Sequence, residues 1–226
     1  MGNIDIFIES AEKFYNQTTA DGNGRFRSWE HCHSVFYEAR YRENVDADNL
    51  SLHLAFYLAS WGMYRGSSFL LQKDYKVHIP IIEELLKKDY NVLFGIECAK
   101  YKDEAVCRRL QELNAKIDDY YASIRRNVKG GVAKHISDTL ITKILMGTMG
   151  CVPAYDRYFI DGIKKQKVAT GNYNINSIQM LSDFYVSNFE KLEKVRSGFH
   201  IYGMPYPQMK LLDMGFWQIG LENGAE

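Results

Sequence analysis

A chain of 226 residues with 46% hydrophobic and 14% aromatic content is long enough to bury a substantial core, as one large domain or two small lobes. Its 28 basic residues balance 28 acidic ones, which argues against a strongly basic nucleic-acid-binding surface but leaves room for local patches that bind phosphate. No apolar run has the length that a membrane span needs, and the N-terminus lacks the basic and apolar regions of a signal peptide, so we expect a cytoplasmic protein without a membrane partner.

The hydrophobic periodicity predicts helices along the whole chain, and no stretch alternates convincingly as a strand would. We therefore expect an all-α domain over residues 1–226, with about nine or ten helices. The predicted helices cover 4–15, a segment from Arg25, a largely buried segment that follows Asp48 and runs from Leu50 to Trp61, then 79–87, 91–98, 102–126, a short segment from Ser137, and then 154–165, 175–196 and 208–221.

The cysteines and histidines give no indication of a metal site. No C-x-x-C spacing is present, and we expect reduced, structural thiols. His31 and His33 flank one cysteine, but adjacent residues on a helix point in different directions and no second ligand cluster matches. We expect neither a metal nor a cofactor. The four cysteines are Cys32, Cys98, Cys107 and Cys151.

The stretch 137–166 is the part of the chain on which the functional interpretation depends. Ser137 and Asp138 are good residues to start a helix, and the glycines at 147 and 150 are expected to end it. Pro153 then opens a second helix, which places Asp156 in its first turn. Unpaired backbone N–H groups and the positive end of the helix dipole favour an ionised carboxylate there. Such a carboxylate can act as a base or stabilise positive charge.

This order of helix, glycine-bearing turn and V-P-A-Y-D resembles the helix-hairpin-helix superfamily of DNA glycosylases. In that superfamily a catalytic aspartate follows a proline at the start of a helix. The resemblance implies an all-α glycosylase-like fold with a degenerate hairpin, because Gly130 and Gly131 lie several residues before the expected position. It also implies DNA as the partner and Asp156 as the catalytic residue. The implied reaction is hydrolysis of the N-glycosidic bond of a modified or damaged base, which leaves an abasic site.

Two finer expectations come from the same resemblance. Bifunctional members carry a lysine nucleophile near the hairpin, but Lys134 precedes the predicted helix and Lys143 falls inside it. Neither position matches well, which favours a monofunctional hydrolase. The outline is also similar to bacterial antiphage glycosylases that attack modified cytosine in phage DNA.

The substrate-binding residues are expected in two groups. The segment WGMYRGSS follows a buried helix and is expected to supply the pocket for an extruded base. The start of the helix at 137 has hydroxyl groups and free N–H groups that can hold a phosphate. The predicted pocket residues are Trp61, Tyr64, Arg65, Ser67 and Tyr155, and the predicted phosphate-binding residues are Ser137, Thr139, Thr142 and Lys143.

Other interpretations remain open. Asp156 can be a helix cap, Trp61 a core residue and Lys143 a solvated helix residue. The pairs Arg25–His31 and Arg27–His33 resemble the active-site motif of HEPN ribonucleases, which cleave RNA without metal. A non-catalytic helical interaction module is the third possibility.

Overall fold

The computed structural model describes residues 3–129 and 135–224, and these are overwhelmingly helical, which confirms the all-α expectation. Short 3-10 segments occupy Arg25–Arg27, Phe69–Gln72, Tyr75–His78, Lys88–Leu93 and Cys98–Lys102. The α-helices in chain order are α1 (Ile4–Ala20), α2 (Ser28–Ala39), α3 (Ala47–Ser60), α4 (Ile79–Leu85), α5 (Glu104–Lys129), α6 (Asp138–Thr148), α7 (Arg157–Lys165), α8 (Ile175–Ser187), α9 (Phe189–Arg196) and α10 (Gln208–Asn223).

Several predicted boundaries differ from the structure. The predicted helix over 91–98 is absent, because 3-10 segments and turns occupy that region. The predicted helix over 175–196 divides into α8 and α9 at Asn188. Two antiparallel strands of two residues each lie in a loop for which no strand was predicted. They are β1 (His200–Ile201) and β2 (Met204–Pro205). Gly130, Gly131 and Lys134 lie outside the described residues.

Helix α6 begins and ends for clear local reasons. The side chain of Ser137 accepts a hydrogen bond from the backbone N–H of Leu140 and so caps the first turn. Gly147 lies inside the helix and does not end it, contrary to expectation. The chain turns away at Gly150, whose φ of 64° is a left-handed conformation that glycine adopts easily. Almost all of α6 is buried, so its side chains reach the interior of the molecule.

Helices α7 and α10 pack with their backbones in direct contact. A β-carbon at Gly162 would lie 1.9 Å from the carbonyl oxygen of Phe216, and one at Gly220 would lie 1.8 Å from that of Tyr158. A side chain at either position would overlap the facing backbone, so only glycine permits this approach. The contact fixes the first turns of α7 against α10.

Buried apolar side chains from α1 to α10 form a connected core. All four cysteines are buried and unpaired. Among the residues that the structure describes, no helix is both long and apolar enough to cross a membrane.

Candidate functional site

The segment that leads into α7 is held by side chains. The backbone N–H of Tyr155 donates to Thr142 Oγ1 at 2.9 Å, and the Thr139 hydroxyl donates to the carbonyl oxygen of Tyr155 at 2.9 Å. Asp156 is therefore the N-cap of α7 and not part of its first turn, because the helix begins at Arg157 and not at Ala154. The Asp156 Oδ1 atom accepts the N–H of Phe159 at 3.2 Å, which leaves the other carboxylate oxygen for a second partner.

That second partner is Lys143, which reaches Asp156 from α6. Its Nζ atom lies 2.9 Å from Asp156 Oδ2. The Lys143 side chain is only 2% exposed, whereas that of Asp156 is 18% exposed. The expectation of a solvated lysine is therefore wrong: α6 is buried on nearly all sides, and the lysine extends inward to the carboxylate. An amine and a carboxylate thus meet at one point between α6 and α7.

Aromatic rings surround this ion pair. Lys143 Nζ lies 5.0 Å from the ring centroid of Trp61, close enough for a cation–π interaction. Trp61 also meets Trp217 edge to face with ring centroids 5.9 Å apart, and Trp217 meets Tyr158 in the same way at 5.3 Å. The buried indole N–H groups of Trp61 and Trp217 have no hydrogen-bond partner within the described part of the chain. Trp61 is half-buried, so it belongs both to the core and to the surface that the pair faces.

The Lys143–Asp156 pair lines an open cleft of about 720 Å³. This volume lies within the range of pockets that hold small molecules or a nucleotide. The walls combine Trp61, Tyr158 and Trp217 with residues at the end of α3. Asp156 therefore lines an open groove that is large enough for a small molecule, and it is not sealed in the interior.

The cleft is strongly basic although the whole chain is neutral. Its lining carries four basic side chains and one carboxylate. Arg25, Arg65 and Arg157 are exposed there, and within residues 3–129 and 135–224 none of them forms an ion pair with a carboxylate. Three arginines without acidic partners can contact phosphate groups directly.

A smaller recess of about 370 Å³ continues from the cleft past Arg65. It is lined by Ser67 and by Ser137, which is exposed at the start of α6, together with Arg125. Two predicted residues from separate groups, Ser67 and Ser137, thus lie in one surface depression. The predicted phosphate site and base pocket are neighbours, with Arg65 shared between them.

Three of the predicted site residues line neither the cleft nor the smaller recess. Tyr155 is 1% exposed, and its hydroxyl is hydrogen-bonded to Ser177 inside the core. Thr142 is completely buried, and its hydroxyl binds backbone groups of Asp138 and Tyr155. The hydroxyl of Tyr64 is bonded to His78 and the residue does not line the cleft.

Four further predicted residues line the cleft, and two of them make contacts that were not expected. Thr139 lines the cleft while its hydroxyl holds the backbone before Asp156. Lys143 lies inside the cleft, paired with Asp156, and not at the surface of the α6 N-terminus. Its predicted phosphate contact stays a prediction. Trp61 and Arg65 line the cleft as expected.

The arginine–histidine pairs of the ribonuclease interpretation do not form a shared site. His33 is only 4% exposed, and burial lowers its pKa to about 4, so the ring is neutral at pH 7. Arg27 forms an ion pair with Glu30 at 2.9 Å. His31 is hydrogen-bonded to Tyr202. His33 lines a different pocket, together with Arg40 and not with Arg27.

Comparison of the chain with protein-family models, with curated proteins and with solved structures found no match. Within the described ranges, no group of three or more histidine, cysteine or acidic residues is arranged to hold a metal ion.

Sequence reasoning missed part of the cleft. Arg157 and Tyr158 directly follow Asp156, and their adjacency to it was the available indication. Trp217 lies in the predicted helix over 208–221, but periodicity does not show that one edge of a buried ring borders a cleft.

Proposed function

We propose that the protein is a DNA glycosylase and that Lys143 and Asp156 carry out its chemistry in the cleft. The observation that carries this proposal is the buried amine 2.9 Å from a carboxylate at the wall of a basic, aromatic cleft of about 720 Å³. An amine held in such a place can act as a nucleophile toward an electrophilic sugar carbon. The remaining features of the cleft match what a nucleotide requires.

The cleft offers separate surfaces for the parts of an extruded nucleotide. Trp61 and Tyr158 present aromatic surface for a base, because every base has a π-face that stacks on such rings. Arg25, Arg65 and Arg157 can hold the flanking phosphates. A base that is turned out of the duplex would thus lie near the rings, with its sugar toward the ion pair.

The reaction follows from the two partners. As the C1′–N bond breaks, Lys143 passes a proton to the departing base. Its amine, now neutral, then forms a bond to C1′ of the cationic deoxyribose. The electron pair of the broken bond leaves with the base. Asp156 stays ionised and stabilises the positive charge that develops on the sugar. The second amine proton moves to the ring oxygen, the ring opens to an imine, and water hydrolyses the imine to leave an abasic site.

This mechanism replaces the hydrolytic one expected from the sequence. That expectation depended on the absence of a suitably placed lysine. Lys143 lies beside Asp156 in three dimensions although its position along α6 does not match the superfamily's lysine. Direct attack by water is therefore the competing mechanism, and it would give no covalent adduct.

The experiment incubates the full-length protein with unmodified, damaged and phage-modified DNA. Released bases are identified by mass spectrometry, with and without sodium borohydride. We expect base release and a borohydride-trapped protein–DNA adduct on the peptide that contains Lys143. Lys143→Gln should abolish both, whereas Lys164→Gln, a change at an exposed lysine of α7 outside the cleft, should leave both unchanged.

Each outcome distinguishes one alternative. Base release without an adduct contradicts amine attack but not glycosylase activity. DNA binding without base release from any DNA supports the interaction module and contradicts the proposal. Cleavage of an RNA control instead of DNA supports the ribonuclease interpretation.

A further inference from the structure

A second buried ion pair, Lys210–Asp213, lies in the first turns of α10, behind the cleft. Lys210 Nζ is 2.8 Å from Asp213 Oδ2, and the two residues are 3% and 5% exposed. Neither residue lines the cleft. Burying two charges is costly, and replacing such a pair by apolar residues often leaves stability unchanged. Stability alone is therefore a weak explanation for the pair. The other contacts of Lys210 and Asp213 indicate which parts of the structure the pair holds in place.

Asp213 holds the backbone that presents the catalytic carboxylate. Its Oδ1 atom accepts the N–H of Ala154 at 2.9 Å, two residues before Asp156. The next N–H, that of Tyr155, donates to Thr142 Oγ1. The backbone just before Asp156 is thus held by side chains from α6 and α10, and not by the hydrogen bonds of a helix.

Lys210 contacts the aromatic wall of the same cleft from behind. Its Nζ atom lies 4.7 Å from the ring centroid of Trp29, 5.3 Å from that of Phe14 and 5.7 Å from that of Trp61. Lys143 Nζ lies 5.0 Å from the Trp61 ring. One indole therefore contacts the ammonium groups of both buried pairs, and each of these contacts is favourable when water is excluded.

We infer that Lys210 and Asp213 are positioning residues for the reaction in the cleft. Asp213 sets the location of the Asp156 carboxylate through the N–H of Ala154. Lys210 holds Asp213 in place and orients Trp61 beside Lys143. The inference rests on the proposed function, because it concerns the rate of that reaction. Displacing reacting groups by about 1 Å can lower a rate about 100-fold even when the altered residue is remote.

The test compares two double variants that both lack the buried charges. Lys210→Met with Asp213→Asn keeps an oxygen that can accept the N–H of Ala154, whereas Lys210→Met with Asp213→Leu removes it. Asp213→Glu, which keeps the charge but shifts the acceptor by one methylene group, is a third variant. Glu38→Gln with Arg42→Gln, which removes an exposed ion pair far from the cleft, is the matched control. The measurements are the single-turnover rate constant for base release, the Kd for DNA and the urea unfolding midpoint.

We expect the leucine double variant to lose about 10- to 100-fold in the single-turnover rate constant with an unchanged Kd. The asparagine double variant should lose clearly less, because it retains the acceptor. If the leucine variant does not fold, Asp213→Glu must show the rate loss instead. A folded leucine or glutamate variant with the wild-type rate constant overturns the inference, and so does failure of all three variants to fold. Wild-type protein that releases no base contradicts the glycosylase proposal, which is a different result.

Discussion

At the scale of single residues, Asp156 performs two tasks with two oxygen atoms. Oδ1 caps α7 through the N–H of Phe159, and Oδ2 binds Lys143. The structural and functional interpretations of this residue are thus compatible. A substitution that preserves the cap and removes the charge can separate them, because an amide oxygen still accepts the N–H of Phe159.

Asp156→Asn is such a substitution. We expect the single-turnover rate constant for base release to fall by about 100-fold or more, because the developing charge on the sugar loses its counterion. Lys143 loses its buried anionic partner, which lowers the free energy of unfolding by at most about 3 kcal/mol because Asp156 is partly exposed. Rate assays and urea unfolding measure the two effects. Asp161→Asn, at an exposed carboxylate of α7, is the control. Wild-type rates in Asp156→Asn would show that the carboxylate is only a cap.

Some members of the site were predictable as single residues and others were not. Asp156 follows Pro153 at the expected start of a helix, and Trp61 and Arg65 occur where a buried helix ends, so local pattern sufficed for them. Thr142 and Tyr155 also had the right local position, but their side chains point into the core. The direction of a side chain relative to a distant helix is set by packing, which periodicity does not contain.

At the scale of elements, the close contact of α7 with α10 determines where the cleft can lie. The sequence predicted both helices, since each has a clear apolar face, but not their separation. Gly162 and Gly220 were not recognised as contact residues, because a glycine inside a helix is equally compatible with flexibility or with close packing. The two cases can be told apart only when the position of the facing helix is known.

Gly162→Ala tests this contact. Alanine is the better helix former by about 1 kcal/mol, so an uncrowded position would gain stability. A β-carbon here would lie 1.9 Å from a backbone oxygen, so the helices must separate, and we expect a net loss of about 1–3 kcal/mol in the free energy of unfolding. Urea unfolding provides the measurement. Gly22→Ala, where no atom lies within 4 Å of the added carbon, should change stability little. A stabilised Gly162→Ala protein would contradict the observed packing.

At the scale of the whole molecule, the net charge of zero does not reveal that the cleft is basic. Equal numbers of acidic and basic residues lowered the expectation of nucleic-acid binding. Three distant parts of the chain supply the arginines of the cleft: a 3-10 segment carries Arg25, the loop after α3 carries Arg65, and α7 carries Arg157. They become neighbours only when these segments pack together. The all-α class was predictable from periodicity, which is local. The charge distribution was not, because it depends on which segments become neighbours.

The three arginines make a quantitative prediction about salt. Each arginine that neutralises a phosphate contributes about 0.9 to the slope of log K against log salt concentration. We expect the triple variant Arg25→Gln, Arg65→Gln, Arg157→Gln to bind a short duplex more weakly and to lose about 2–3 from the magnitude of the wild-type slope. Fluorescence anisotropy titrations at several salt concentrations provide the measurement. The control replaces three arginines outside the cleft: Arg42, Arg108 and Arg126. Equal slopes for both triple variants would mean that DNA is held elsewhere, whereas a selective loss would assign the phosphate contacts to this cleft.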